Sequence, residues 1–391
     1  MGACAGTKTR YTLAMAKTTT QTLISADRNL NLGDCSFDSH QLAPDCPTPW
    51  SVRMQRLHGG KQEGVDLITI DNGVMQVRVC PTRGMGIIDA AMDEVALGWD
   101  SPVKETVHPV FVDLQRRGRT GWLEGFSEFV VRCGLEFMGP PCKDFEHSAV
   151  GEPPATDTTL HGKIANIPAS EVQIIAQTTA PYAITLRGVL HERAMYGPKL
   201  ALTADLTIVP GEQGFTLNDT VTNLGGQNAE MCLLYHINQG RPILENGARL
   251  VGAFADAAPR DEGYSDKQIK QFDRYGNPEP GSHEQVFFID LEPDRGGRVS
   301  VLLHNKKKNL GLQVSWNKKQ LPLFTLWKAL HDERDGYVTG LEPCTTYPMP
   351  RPTEREEGNL VTLKPGGSYK TQLTFDLFDD KASINKAAAR I

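Results

Sequence analysis

The stretch Val65-Asp-Leu-Ile-Thr-Ile-Asp-Asn-Gly-Val-Met-Gln-Val-Arg-Val-Cys80 decides the fold class. Two runs rich in Val and Ile flank Asp71-Asn-Gly73, and Asn-Gly is the pair that supplies the positive φ angles of a tight hairpin turn. The same grammar recurs further along. Ala183 to Arg193, Lys199 to Val209 and Phe215 to Leu224 are β-rich runs, punctuated by Gly197-Pro198 and Pro210-Gly211. Arg298 to His304, Leu310 to Trp316, Tyr337 to Leu341 and Leu360 to Leu377 follow, the last broken at Pro365-Gly-Gly367. Many of these runs alternate apolar and polar residues, as half-buried antiparallel strands do. One short helix is expected near the end, over Lys381 to Arg390.

This pattern predicts an all-β protein built as a large antiparallel β-sandwich, two sheets packed face to face. The 25 prolines and 37 glycines are dispersed rather than gathered into a linker, so residues 26–391 read as one domain. Residues 1–25, rich in Thr, Ala and Lys and without an apolar stretch, read as an N-terminal segment without stable structure and not as a secretory signal.

Composition excludes several classes of function. A formal net charge of −6 with no long basic run argues against a nucleic-acid partner. The Lys306-Lys307-Lys308 triplet reads as a turn between strands. No run reaches the roughly 18 apolar residues of a membrane span. Eight cysteines without a CxxC pair or zinc-like spacing fit reduced thiols in a cytoplasmic protein.

Three segments are unlike ordinary strand sequence: Thr159-Leu-His-Gly-Lys-Ile164 with its continuation to Ala169, Leu233-Leu-Tyr-His-Ile-Asn-Gln-Gly-Arg-Pro242, and Gly336-Tyr-Val-Thr-Gly-Leu-Glu-Pro343. Each sets an ionisable residue among apolar or glycine neighbours. His161, His236 and Glu342 are a set suited to acid–base work near neutral pH. Singly, each has an ordinary structural reading, since a strand histidine is more often a hydrogen-bonded structural residue than a catalyst. Spacing does not join them either.

Taken together and in order, these segments resemble the aldose 1-epimerase (galactose mutarotase) superfamily, and more closely its DUF4432 branch, over roughly residues 60–350. Pro81-Thr-Arg-Gly-Met-Gly-Ile87, Gly121-Trp-Leu-Glu-Gly-Phe126, Gly139-Pro-Pro-Cys142, Leu160-His-Gly-Lys-Ile164, Leu234-Tyr-His-Ile-Asn238 and Gly340-Leu-Glu-Pro343 carry the likeness. It implies a galactose mutarotase-like sandwich that binds a small sugar and interconverts its anomers without a cofactor. His236 would be the acid toward the ring oxygen, Glu342 the base on the C1 hydroxyl, and His161 a substrate-polarising partner. Arg83 would bind a hydroxyl or an acidic substituent. That scheme needs an imidazolium and a carboxylate side by side.

Lys163, Arg132, Asn238 and Lys328 are candidate hydroxyl-binding donors, and Asp261 a further polar contact. Trp122, Trp316 and Trp327 are candidate stacking surfaces for a sugar face, each with core packing as its alternative. Two other functions stay open: isomerisation or epimerisation at another carbon, with or without a metal held by His161, His236 and Glu342, and a non-catalytic carbohydrate sensor. Monomer and homodimer are equally compatible with the sequence.

Overall fold

Val65–Cys80 forms the expected hairpin, with strands Asp66–Asp71 and Gln76–Cys80 paired antiparallel. Within its turn only Gly73 takes a positive φ, of 94°. Asn72 serves a different purpose. Fully buried, it donates from its side-chain amide to Val209 O and Glu212 O, both at 2.9 Å. The turn thereby docks onto the Pro210-Gly211 turn of the opposing sheet. The structure, a computed structural model, describes residues 17–92, 95–144 and 156–391.

Two large antiparallel sheets make up the sandwich. The ten-stranded sheet has at its centre Gly311–Asn317, Ser368–Phe378, Gly214–Asn223, Lys199–Ile208 and Ile184–Arg193, in that order. The thirteen-stranded sheet runs from Phe254–Pro259 through Gln285–Leu291, Leu323–Leu330, Tyr337–Cys344, Ala229–Gln239 and Val130–Leu135 to Gly86–Met92 and the hairpin. Period-2 alternation sends Leu186, Leu202, Leu217 and Leu373 from one sheet against Val77, Ile87, Ile237 and Leu341 from the other. This inter-sheet layer is the main core.

The N-terminal expectation needs correction. Thr18–Ser25 is a strand, paired with Glu171–Gln177, and Leu23 is completely buried in the core. Its threonines, polar by composition, are β-branched residues that favour an extended backbone. Residues 1–16 lie outside the described part. The run Leu360 to Leu377 is split, as expected, at Pro365-Gly-Gly367, but its halves part company: Val361–Leu363 pairs with the His236 strand, whereas Ser368–Phe378 joins the ten-stranded sheet. The C-terminal helix spans Lys381–Ala388, is N-capped by Asp380, and packs Ile384 with Leu302.

Candidate active site

Strand register brings the distant His236 and Glu342 together. Leu234 pairs with Cys344 and Ile237 with Leu341, which sets His236 directly across from Glu342 on neighbouring antiparallel strands. On these strands Tyr235, Ile237 and Leu341 point into the inter-sheet core. Leu234, Cys344, Val131 and Cys133 occupy the opposite face, in a separate apolar cluster with Trp122 and Phe126. His236 and Glu342 share that outer face. Both of its sides being covered, the His236 strand is almost wholly buried.

Over this face lies a cavity of about 570 Å³. Trp122, Phe126, His161, His236, Trp327 and Glu342 form its apolar and acid–base wall, with Arg260, Asp261 and Glu284 on another side. The His236 ring stands edge-on to Phe126 (5.1 Å) and Trp327 (5.2 Å), and 5.7 Å from the His161 ring. Its Nε2 lies 3.2 Å from Glu342 Oε1, without the alignment of a hydrogen bond, so Oε1 has no hydrogen-bond partner. Its Nδ1 lies 2.6 Å from Asn238 Oδ1. Gly340, on the Glu342 strand, makes the close approach possible: a Cβ there would come 2.5 Å from Glu342 Oε1 and 3.0 Å from the His236 ring.

Burial governs the electrostatics. Loss of hydration, then the neighbouring His161, pushes His236 down to about 3, with Asn238 opposing. Burial, then the Arg260 charge, takes His161 down to about 4. Glu342 is shifted well above the usual carboxylate range by burial and then by Glu284, with Arg260 opposing. Each group is thus driven toward its neutral form. Besides Glu342 Oε1, the buried His161 Nδ1 and Trp122 Nε1 also lack hydrogen-bond partners.

Of the residues expected to bind substrate, Trp327 and Asp261 do line the cavity. Trp327 donates from Nε1 to Glu284 Oε2 at 2.8 Å, and Asp261 accepts from Arg260 Nε at 3.0 Å. Four others stand elsewhere. Arg83 is buried beneath the site and donates to Glu128 (2.8 Å), Val107 O (3.0 Å), Asn166 (2.9 Å) and Gly125 O (2.9 Å), which fastens the loop leading to Phe126. Arg132 points between the sheets, bidentate to Asp219 and 2.8 Å from Met85 O. Lys163 is ion-paired with Glu136 and sits over the Phe137 ring. Asn238 is fully buried behind His236 and faces the histidine rather than the cavity.

The other candidate donors and rings also resolve. Lys328 points away from Trp327 and binds the carbonyls of Phe272 (3.0 Å) and Arg274 (2.8 Å). Trp316 packs in the inter-sheet core, with its Nε1 on Leu321 O at 2.9 Å. Trp122 reaches the cavity wall.

Sequence reasoning missed Arg260 and Glu284. They are linked to each other at 2.9 Å at the ends of the edge strand Phe254–Pro259 and of its neighbour Gln285–Leu291, where charged residues look like solvated surface. Their one sequence signal was the neighbouring Asp261. Among the described residues no group of three or more His, Cys, Asp and Glu side chains is arranged to hold a metal ion. All seven cysteines among them are free. No helix among them is long and apolar enough to cross a membrane.

Comparison with known proteins agrees with this architecture. A family model described as "Domain of unknown function (DUF4432)" matches residues 62–377. A Klebsiella pneumoniae structure, provisionally named an aldose 1-epimerase, is 35% identical and superposes with a TM-score of 0.89, over 96% of this chain and 95% of its own. A galactose mutarotase-like protein from Clostridium acetobutylicum shares the fold at 13% identity and a TM-score of 0.58, covering 84% of this chain and 98% of that one. The galactose 1-epimerase of Lactobacillus acidophilus does so at 13% identity and 0.54, covering 84% and 99%. Among curated proteins, none matches the chain.

Proposed function

The chain belongs to the DUF4432 family, and from that premise we propose that it is a sugar isomerase which interconverts the anomers of an aldose by acid–base catalysis. One observation carries the reading. His236 and Glu342 stand 3.2 Å apart on the wall of a cavity of about 570 Å³, and Glu342 Oε1 and two further polar atoms of its lining residues, His161 Nδ1 and Trp122 Nε1, have no hydrogen-bond partner. Buried polar groups without partners are rare in a folded protein, and a ligand rich in hydroxyls supplies what these lack. Aromatic faces at Trp327 and Phe126 suit the apolar face of a sugar ring. The name of the Klebsiella relative and the mutarotase-like fold point the same way.

Anomer exchange needs one group to remove the C1 hydroxyl proton and another to protonate the ring oxygen as the C1–O5 bond breaks. Rotation about C1–C2 in the open aldehyde and closure of the ring give the other anomer. His236 and Glu342 can perform both transfers with no net gain or loss of protons. Glu284, Asp261 and Arg260 offer hydrogen bonds to the remaining hydroxyls, and His161 offers Nδ1.

NMR of anomer exchange on a panel of free aldoses tests this. Wild-type protein is expected to accelerate exchange for at least one sugar, and Glu342→Gln to lose about 10²-fold or more of that rate while remaining folded. Full activity in folded Glu342→Gln, or no acceleration of any aldose by the wild type, would overturn the reading.

A further inference from the structure

Asn238 was expected to touch the sugar and instead stands behind the catalytic histidine. Its amide is held in one orientation: Nδ2 donates to Glu128 O at 2.9 Å and to His236 O at 3.3 Å, which leaves Oδ1 facing His236 Nδ1 at 2.6 Å. A flipped amide would press its oxygen against two carbonyl oxygens. Oδ1 has no hydrogen to give, so Nδ1 must carry one. The lone pair of a neutral His236 then sits on Nε2, the atom that faces Glu342.

We propose that Asn238 fixes His236 as the Nδ1–H tautomer, so that the resting pair is a neutral imidazole beside a protonated Glu342, and the carboxylic acid rather than the imidazole protonates the sugar ring oxygen. This rests on the anomer-exchange reading above. An aspartate behind a catalytic histidine orients the ring and strongly stabilises its cation; the uncharged Asn238 orients it and opposes the effect of burial only in part.

No neighbouring charge restores the ionic form. Facing the pair are His161 on its loop, Arg260 and Asp261 beside one edge strand, Glu284 before the next, and the buried thiols of Cys133 and Cys344. Arg260 is the one cation of this set, and it is engaged by Asp261 and Glu284. Among the described residues no lysine or arginine forms an ion pair with Glu342. Two charges shut from water with that little compensation cost more than the same proton shared as a neutral pair.

The step balances. The Nε2 lone pair takes the proton of O1–H, and the O1–H electrons form C1=O1. The C1–O5 pair moves onto O5, which takes the proton of Glu342. Imidazolium and carboxylate exist only while the sugar is open, and ring closure returns each proton to its origin. The pair carries one proton in total under either assignment, so a bell-shaped pH profile alone does not tell them apart. Spectroscopy does.

The decisive measurement is 15N NMR of histidine-labelled full-length protein at neutral pH, with His236 assigned from its loss in His236→Gln. One protonated and one unprotonated ring nitrogen are expected, together with a carboxylic-acid infrared band that disappears in Glu342→Gln. Two protonated nitrogens, or a carboxylate at position 342, would overturn the proposal. Asn238→Asp supplies the missing counter-charge, so it is expected to make His236 an imidazolium and to move the acid limb of kcat to higher pH. An unmoved limb in Asn238→Asp would reduce Asn238 to a packing residue. Asn238→Ala is expected to mix the tautomers and to lower kcat ~10-fold or more with little change in KM. Anomer exchange by a wild type that rests as imidazolium sinks this inference alone, whereas absence of exchange with every aldose sinks it together with the reading beneath it.

Discussion

Three titratable residues of the cleft pull the pH dependence of stability in opposite directions. His161 and His236 have folded pKa values of about 4 and 3 against 6.5 for a free histidine. Their contribution is present above pH 6.5 and is lost as pH falls, because the unfolded chain binds those protons first. Glu342, raised above 4.5, contributes fully below that pH and loses its contribution as pH rises through its folded value. Each group changes the slope by about 1.4 kcal/mol per pH unit where it alone titrates. Relative to Glu342→Gln, the wild type is therefore expected to lose stability as pH rises above 4.5 toward the folded value of Glu342. The urea midpoint of the wild type should accordingly fall relative to that of Glu342→Gln between pH 5 and 9. Parallel curves for the two proteins would show that Glu342 is already ionised when folded. The residues themselves were legible in the sequence as unusual His and Glu positions. Their orientation was not, since Arg132, Tyr235 and Asn238 look equally polar until the pairing decides which face each one joins.

Elements are easier to read than faces, for a physical reason. A strand with one wet side, such as Ile184–Arg193, alternates strictly in burial, and its sequence follows except at Val189 and Glu192. The His236 strand is covered on both sides, so its sequence carries no alternation and announces itself only by odd residues. At the N-terminus polarity misleads in the other direction, because threonines that favour strands resemble the composition of an unstructured segment. Thr18–Ser25 adds a strand next to Glu171–Gln177 and drives Leu23 into the inter-sheet core. Leu23→Ala should accordingly cost ~2–5 kcal/mol in equilibrium unfolding, with Thr18→Ala as an exposed control near zero. A loss in Leu23→Ala no larger than in the control would mean that this strand contributes nothing to the sandwich. The Asn72-Gly73 turn is legible in the sequence, but the use made of Asn72 is not. Its hydrogen bonds to Val209 and Glu212 link turns well over a hundred residues apart in sequence, and no local pattern records such a contact.

Across the whole molecule, the thirteen-stranded sheet separates stability from chemistry by its two faces. Arg132 and Tyr235 are register partners on neighbouring strands, and both reach Asp219 of the ten-stranded sheet through the apolar core. Val131 and His236, one position along, turn to the outer face, Val131 into its apolar cluster and His236 to the cleft. Arg132 is thus a clasp between sheets where the sequence suggested a sugar ligand. Removing only the cation strands a buried carboxylate, so Arg132→Met should destabilise by ~3–5 kcal/mol. Arg132→Met combined with Asp219→Leu removes both charges, keeps Tyr235 Oη on Thr371, and should recover part of that loss, less the bond Arg132 gave Met85 O. If the faces are independent, any of these proteins that remains folded retains kcat/KM for anomer exchange within about 3-fold, because a shift in one pair of core side chains does not move Nε2 of His236 relative to Glu342. Unfolding midpoints and kinetics on the same samples read both quantities. A folded Arg132→Met with normal stability and a large rise in KM would return Arg132 to the substrate and show that the two faces are coupled.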